Sequence, residues 1–230
     1  MLTAIRKYIA VFGRANGGVA IVEFAFVAPV MLVLALGGVD VARYVIATEK
    51  VTKVANTIAQ MISVNNMPST TNPLYGAVNY IDLQVYHDSA MVIFPDMLAD
   101  AAQQNISWTK DISITMSSVN FTTVQTNCGA TCTYTPAVVW TGGDNPRPCS
   151  PALIQAVDAS IPSPTTLPAD VFGPGSVIVV DVQYNFHPFF GTYIPAPIGI
   201  ARSVYLAPRY KPQIIYQVIT GDNGIVKSCP

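Results

Sequence analysis

Charge is what this chain has least of. Acidic and basic side chains make up 11% of its 230 residues, while 51% are hydrophobic; ordinary soluble domains carry about 25% charge. That balance argues against a wholly water-exposed protein and fits one membrane anchor joined to one folded domain. The formal net charge is −1, and no basic patch invites nucleic acid. Histidine is reduced to two residues. No G-x-S-x-G, H-E-x-x-H or glycine-rich phosphate loop occurs, so the chain reads as no enzyme, with no cofactor and no metal site.

The scarcity is deepest near the N-terminus. Between Val19 and Val39 the single charged residue is Glu23, in a run that as a helix spans about 30 Å, the thickness of a bilayer's hydrocarbon core. An ionised carboxylate at that depth costs several kcal/mol unless it lies near the interface or meets a partner. Glu23 sits five residues past the pair Gly17-Gly18.

Of the twelve basic residues, Arg6, Lys7 and Arg14 precede this run and no acid does, so the remainder has 9 basic against 13 acidic residues. Positive charge on the N-terminal flank predicts a cytoplasmic N-terminus and an exported body. Four regions follow: a basic cytoplasmic leader over 1–18, a transmembrane helix over 19–39, a periplasmic continuation of that helix over 40–63, and an exported α+β domain over 64–230.

Past Asp40 the apolar pattern narrows to one face, with Val41, Tyr44, Thr48, Val51, Ala55, Ile58 and Ile62 at spacings of three and four. This predicts an amphipathic extension of the span, ended near Ser63 by the breakers Asn65, Asn66, Pro68, Asn72 and Pro73. Pro29 should kink or loosen the first half. Residues 75–104 read as one or two helices broken near Pro95.

Strand patterns begin at Asp111. Ile112, Ile114 and Met116 alternate with polar residues, then Val119 and Phe121 fall on the opposite parity, which a bulge or bend near Ser117-Ser118 would reconcile. The clearest strand is 176–187, with Ile178, Val180, Val182, Tyr184 and Phe186 on a dry face and Asp181, Gln183, Asn185 and His187 on a wet one. Two further strands are predicted over 200–206 and 213–219, then a turn at Gly221-Asp222-Asn223-Gly224. The fold expected is a long transmembrane and amphipathic helix packed on an exported antiparallel sheet of roughly four strands.

Cys128, Cys132, Cys149 and Cys229 all fall in the exported part, where an even count suggests two disulfides. Three pairings are possible; the Gly129 turn favours Cys128 with Cys132, leaving Cys149 for Cys229, and the sequence leaves all three open. Residues 127–151 read as a stapled loop with one short strand. His87, His187, Asp170 and Asp181 read as surface, turn or hydrogen-bonded structural residues, and Asp144-Asn145 as a poor fragment of a calcium loop. Tyr134, Trp140, Tyr184, Phe189, Phe190 and Tyr193 could form an exposed aromatic surface, although a sheet core and its lid explain most of them better.

The stretch GGVAIVEFAFVAPVMLVLALGGVDVAR, with its A-x-V-E-F-A-x-V-x-P core and its downstream acid then Arg, resembles the N-terminal signature of the TadE-like family, pilin-related proteins of tight-adherence (Flp-type) pilus systems. Weaker echoes are KVANTIAQMIS, ITMSSV, VVDVQYNFHPFFG and YLAPRY. The resemblance implies an inner-membrane pseudopilin or minor pilin with a pilin-like fold, cut by a prepilin peptidase and working with other pilus subunits and assembly-platform proteins in adhesion and biofilm formation. It makes Gly18 the last leader residue, Val19 the mature N-terminus and Glu23 the fifth mature residue. The new Val19 ammonium would then lie one helical turn from Glu23, which in an assembly could pair instead with the ammonium of a neighbouring subunit and set register between helices.

Two other classes compete. One is an unprocessed membrane-anchored envelope binding protein. The other is a secreted protein with an ordinary signal peptide, against which the apolar run is too long, bears Glu23 and continues into an amphipathic helix.

Overall fold

A computed structural model describes residues 17–125, 132–156, 163–189, 197–222 and 224–229, with side chains from Ile21 onward in the first helix. Arg6, Lys7, Arg14, Cys128, Phe190, Tyr193 and Asn223 lie outside them. The first element, α1, runs without interruption from Gly17 to Ser63 and continues through Pro29. Its 47 residues reach about 70 Å at 1.5 Å per residue.

The two halves of α1 differ in what they touch. Ile21–Val39 is uncovered: Phe24 is 71% and Phe26 76% exposed, and Ile21, Val33 and Leu34 are similarly bare. This is the one segment among the described residues long and apolar enough to cross a membrane. From Ala47 onward the helix turns a stripe inward, with Ala47, Val51, Val54, Ala55, Ile58, Ala59 and Ile62 all buried. That stripe starts later than the periodicity suggests. Val41 and Tyr44 remain exposed.

Two short helices, α2 (Tyr80–Ile93) and α3 (Asp96–Gln103), follow α1. The break between them is at Phe94-Pro95, since proline cannot donate to the helix before it. Asn79 starts α2 by accepting hydrogen bonds from the N–H groups of Ile81 and Asp82, while Asp82 accepts from Asn79 N–H; this is a reciprocal capping box. Ahead of it, β1 (Gly76–Val78) is a strand where the sequence suggested helix. It pairs in parallel with β8 (Ile214–Tyr216), so the strand expected over 213–219 is shorter and lies outside the main sheet.

A single turn, α4 (Trp108–Asp111), leads into the main sheet. Its strands are β2 (Ile112–Thr123), β3 (Tyr134–Gly143), β6 (Gly175–Phe186), β7 (Ile198–Leu206) and β9 (Lys227–Ser228), in the order β7-β6-β2-β3-β9, all antiparallel. The fold is therefore α+β, a long apolar N-terminal helix with a five-stranded antiparallel sheet. Strand β3 is ten residues long, where the sequence suggested a loop with one short strand; Pro136 and the glycine-rich end concealed it. Gly143 closes this strand with φ of 110°, and a Cβ there would collide with the Ile114 carbonyl.

The parity reversal in β2 has a different cause from the one expected. Its register does shift between Ser118 and Val119, but against β3, where Ser118 faces Trp140 and Val119 faces Val138, leaving Val139 as the extra residue. Against β6 the pairing is unbroken from Ile112 to Phe121. The sheet has two dry faces. Ile112, Ile114, Met116, Ile178, Val180 and Val182 pack toward α1, whereas Val119, Phe121, Val177 and Val179 pack on the reverse side beneath a small parallel pair, β4 (Ile154–Ala156) and β5 (Thr166–Pro168).

The face of β6 expected to be wet is thus only partly so. Gln183 and Asn185 are exposed, but Asp181 is buried and bonded to Arg147, whose Nη2 donates to Asp181 Oδ2 at 2.6 Å. Arg147 also donates to the carbonyls of Ser163 and Thr166, and Ser203 Oγ donates to Asp181. Burial pushes the Asp181 carboxyl up, and Arg147 and Ser203 oppose it.

Candidate functional site

Three features stand out: the bare half of α1, the joint where the folded domain grips it, and a buried cluster beside that joint. The predicted processing residues Gly18 and Val19 lie in the first turn of α1, and Glu23 is exposed on the same helix. Around Glu23 every described neighbour is apolar, including Ile21, Val22, Phe24, Phe26 and Val27, and each is at least half exposed. Such a surface is stable only against lipid or the apolar faces of other helices, since exposed apolar patches of this size mark interaction sites.

The joint is built on Asp40 and Arg43, the acid and the arginine that follow the span. Asp40 is buried and its Oδ1 accepts a hydrogen bond from Phe189 N–H at 2.8 Å. Arg43 lies 3.7 Å from the same oxygen, and its guanidinium sits 5.6 Å from the Phe186 ring centre and 4.8 Å from that of Phe189, within cation–π range. Tyr44 adds an edge-on contact to Phe186 at 5.6 Å. The end of β6 is thereby fastened to α1 one helical turn beyond the apolar span.

Beside the joint, His187 does not lie free on a wet face. Its Nδ1 is 3.1 Å from Asp100 Oδ2 and 3.6 Å from Asp111 Oδ1. Tyr184 Oη donates to Asp100 Oδ2 at 2.7 Å. Burial and the Asp100 carboxylate hold that phenol above its ordinary range. Burial, and then Asp100, push the Asp111 carboxyl up to about 6, against the opposing pull of His187. Sequence reasoning singled out neither Asp100 nor Asp111; one lies in a short helix and the other in a single turn, and nothing in their spacing predicts that they meet. His87, by contrast, pairs with its neighbour Asp88 at 3.1 Å and packs on Trp108.

Of the four cysteines, Cys149 and Cys229 form a disulfide across 80 residues, and Cys132 is also disulfide-bonded. Cys229 N–H donates to the Val139 carbonyl, so this bridge holds the C-terminal strand β9 on the edge of β3. The Asp144 carboxylate accepts from Ile114 N–H at 2.9 Å, a structural contact between the end of β3 and β2. Among the predicted aromatic residues, Trp140 and Tyr184 are core, Tyr134 is partly buried, and Phe189 is 62% exposed.

Residues 18–60 match the TadE-like protein family, a stretch that covers the bare span, the joint residues Asp40 and Arg43, and most of the buried stripe. TadE-like domains are associated with Tad/Flp pilus systems, with the membrane and with pilus subunits, and are not known as enzymes. No curated protein and no solved structure matches the chain.

Proposed function

With the TadE-like match over 18–60 as premise, we propose that this chain is a pseudopilin or minor pilin of a tight-adherence pilus, serving adhesion and biofilm formation without catalysis. The observation that carries the reading is the contrast within α1, bare from Ile21 to Val39 and buried along one stripe from Ala47 to Ile62.

In this reading residues 1–18 are a cytoplasmic leader, 19–39 rest in the inner membrane, and 40–230 form the periplasmic body. A prepilin peptidase cuts between Gly18 and Val19. On assembly the span exchanges lipid for neighbouring helices, with Ala25, Ala28 and Ala35 allowing close approach. Glu23 meets an N-terminal ammonium, its own or a neighbour's, and fixes register more than it adds stability. The exported sheet, held by disulfide bonding, presents the surface that other pilus subunits and assembly-platform proteins read.

The test is the mass of the N-terminal peptide from membranes of producing cells. A chain beginning at Val19 supports the pseudopilin. An intact leader contradicts it and leaves an unprocessed envelope anchor.

A further inference from the structure

Asp100 in α3, Asp111 at the end of α4 and His187 just past β6 bring their ligand atoms together, with no two of the three more than 4.8 Å apart. Two features separate this cluster from an ordinary ion-paired histidine. The first is Asp111, which is 1% exposed and whose two carboxylate oxygens have no hydrogen-bond partner among the described residues. A buried carboxylate without hydrogen-bond donors is strongly unfavourable, and His187 at 3.6 Å offsets that cost only in part, so a bound cation would relieve it.

The second feature is spacing. The 3.6 Å from His187 Nδ1 to Asp111 Oδ1 is too long for a hydrogen bond. Zinc bonds of about 2.0–2.2 Å at tetrahedral angles place neighbouring ligand atoms roughly 3.3–3.6 Å apart. The 3.1 and 3.6 Å contacts bracket that range, and with the two carboxylates drawn together from within their 4.8 Å limit a single ion between these groups would convert both contacts into coordination and engage the orphaned carboxylate. Tyr184, donating to Asp100, supplies the kind of outer partner that orients a ligating carboxylate.

We propose that Asp100, Asp111 and His187 bind one zinc ion, with water as the fourth ligand. One imidazole nitrogen beside two carboxylates suits zinc better than calcium or magnesium, which favour shells of oxygen. Entry is available because the His187 side chain is 15% exposed and Asp100 lines a cavity of about 320 Å³ shared with Arg43, Phe94 and Phe189. His187 lies two residues before Phe189, whose N–H is held by Asp40. The ion would therefore staple α3, α4 and the sheet at the point where the domain grips α1. This site goes beyond the pilus reading and does not depend on it.

The test uses the full chain in detergent, stripped with chelator and titrated calorimetrically with zinc chloride, then with magnesium and calcium chloride. The expected result is one zinc per chain and a raised unfolding temperature, with neither effect from magnesium or calcium. Asp111→Asn and His187→Ala should each weaken zinc binding about tenfold or more, while His87→Ala leaves it unchanged. Zinc-edge X-ray absorption of the unaltered chain should show one imidazole, oxygen ligands and no sulfur. This spectrum decides the matter even if a variant fails to fold. Absence of stoichiometric zinc, a sulfur-containing shell, less than tenfold weakening in Asp111→Asn, or loss of binding in His87→Ala would each overturn the proposal.

Discussion

Replacing Arg147 with methionine should unfold the reverse face of the sheet domain. Arg147 is 1% exposed, and its guanidinium bonds Asp181 at 2.6 Å and two carbonyls of the segment that carries β5. Methionine fills similar space but leaves Asp181 buried with the Ser203 hydroxyl as its one remaining side-chain hydrogen-bond donor among the described residues. Removing one member of a buried ion pair costs about 3–5 kcal/mol, which shifts the unfolding equilibrium by roughly 150- to 5,000-fold at 1.36 kcal/mol per tenfold. The assay is urea unfolding of the full chain in detergent, followed by tryptophan fluorescence, because Trp140 is wholly buried. Adding Asp181→Asn to Arg147→Met should recover part of the loss, since the orphaned charge is then gone. A loss below about 1 kcal/mol, the range of an exposed pair, would show that Asp181 is solvated and that the reverse face is not closed as described.

Other consequences follow from the same contacts. Replacing Cys149 and Cys229 together by serine opens an 80-residue separation and should cost about 4–5 kcal/mol in the chain-entropy picture, read as a lower urea midpoint with β9 becoming susceptible to protease. Asp40→Ala removes the acceptor of Phe189 N–H and should weaken the grip on α1 by about 1.5–3 kcal/mol, the scale of a hydrogen bond to a charged group; faster amide exchange at Phe189 with unchanged exchange in β2 would register it. The Asp222 carboxyl is held below its ordinary value, first by the Tyr216 hydroxyl and then by Gly224 N–H. A lowered folded-state value means that this turn is fully stabilised above the ordinary carboxylate range and loosens as pH falls below that range and through the lowered value. An NMR titration in which Asp222 protonates at or above the ordinary range would contradict that.

What the sequence made legible was periodicity over long stretches. The apolar run and its one-sided continuation to Ser63 are visible because about forty residues repeat one helical pattern, and 176–186 because its alternation is nearly unbroken. The second dry face was written in Val119 and Phe121, whose reversed parity was visible but pointed to a bend in β2 when its cause was another small core. Asp181 looks wet in the alternation of its strand because its partner, Arg147, lies 34 positions away in a segment that reads as loop. The cluster of Asp100, Asp111 and His187 was hidden for the same reason: the chain supplies each member from a different element, and only tertiary packing brings them within reach. Residues 76–78 went to a strand against their helical appearance because the β8 edge offered hydrogen bonds that the local sequence does not announce.

The central claim is that the bare half of α1 is an assembly surface on which Glu23 is a working charge. Glu23→Gln, introduced in producing cells, tests it most directly, with pili counted by electron microscopy and the protein quantified in the membrane fraction. Loss of pili with the protein still present in the membrane is the predicted result. Normal pili and normal surface attachment from the glutamine variant would contradict the claim.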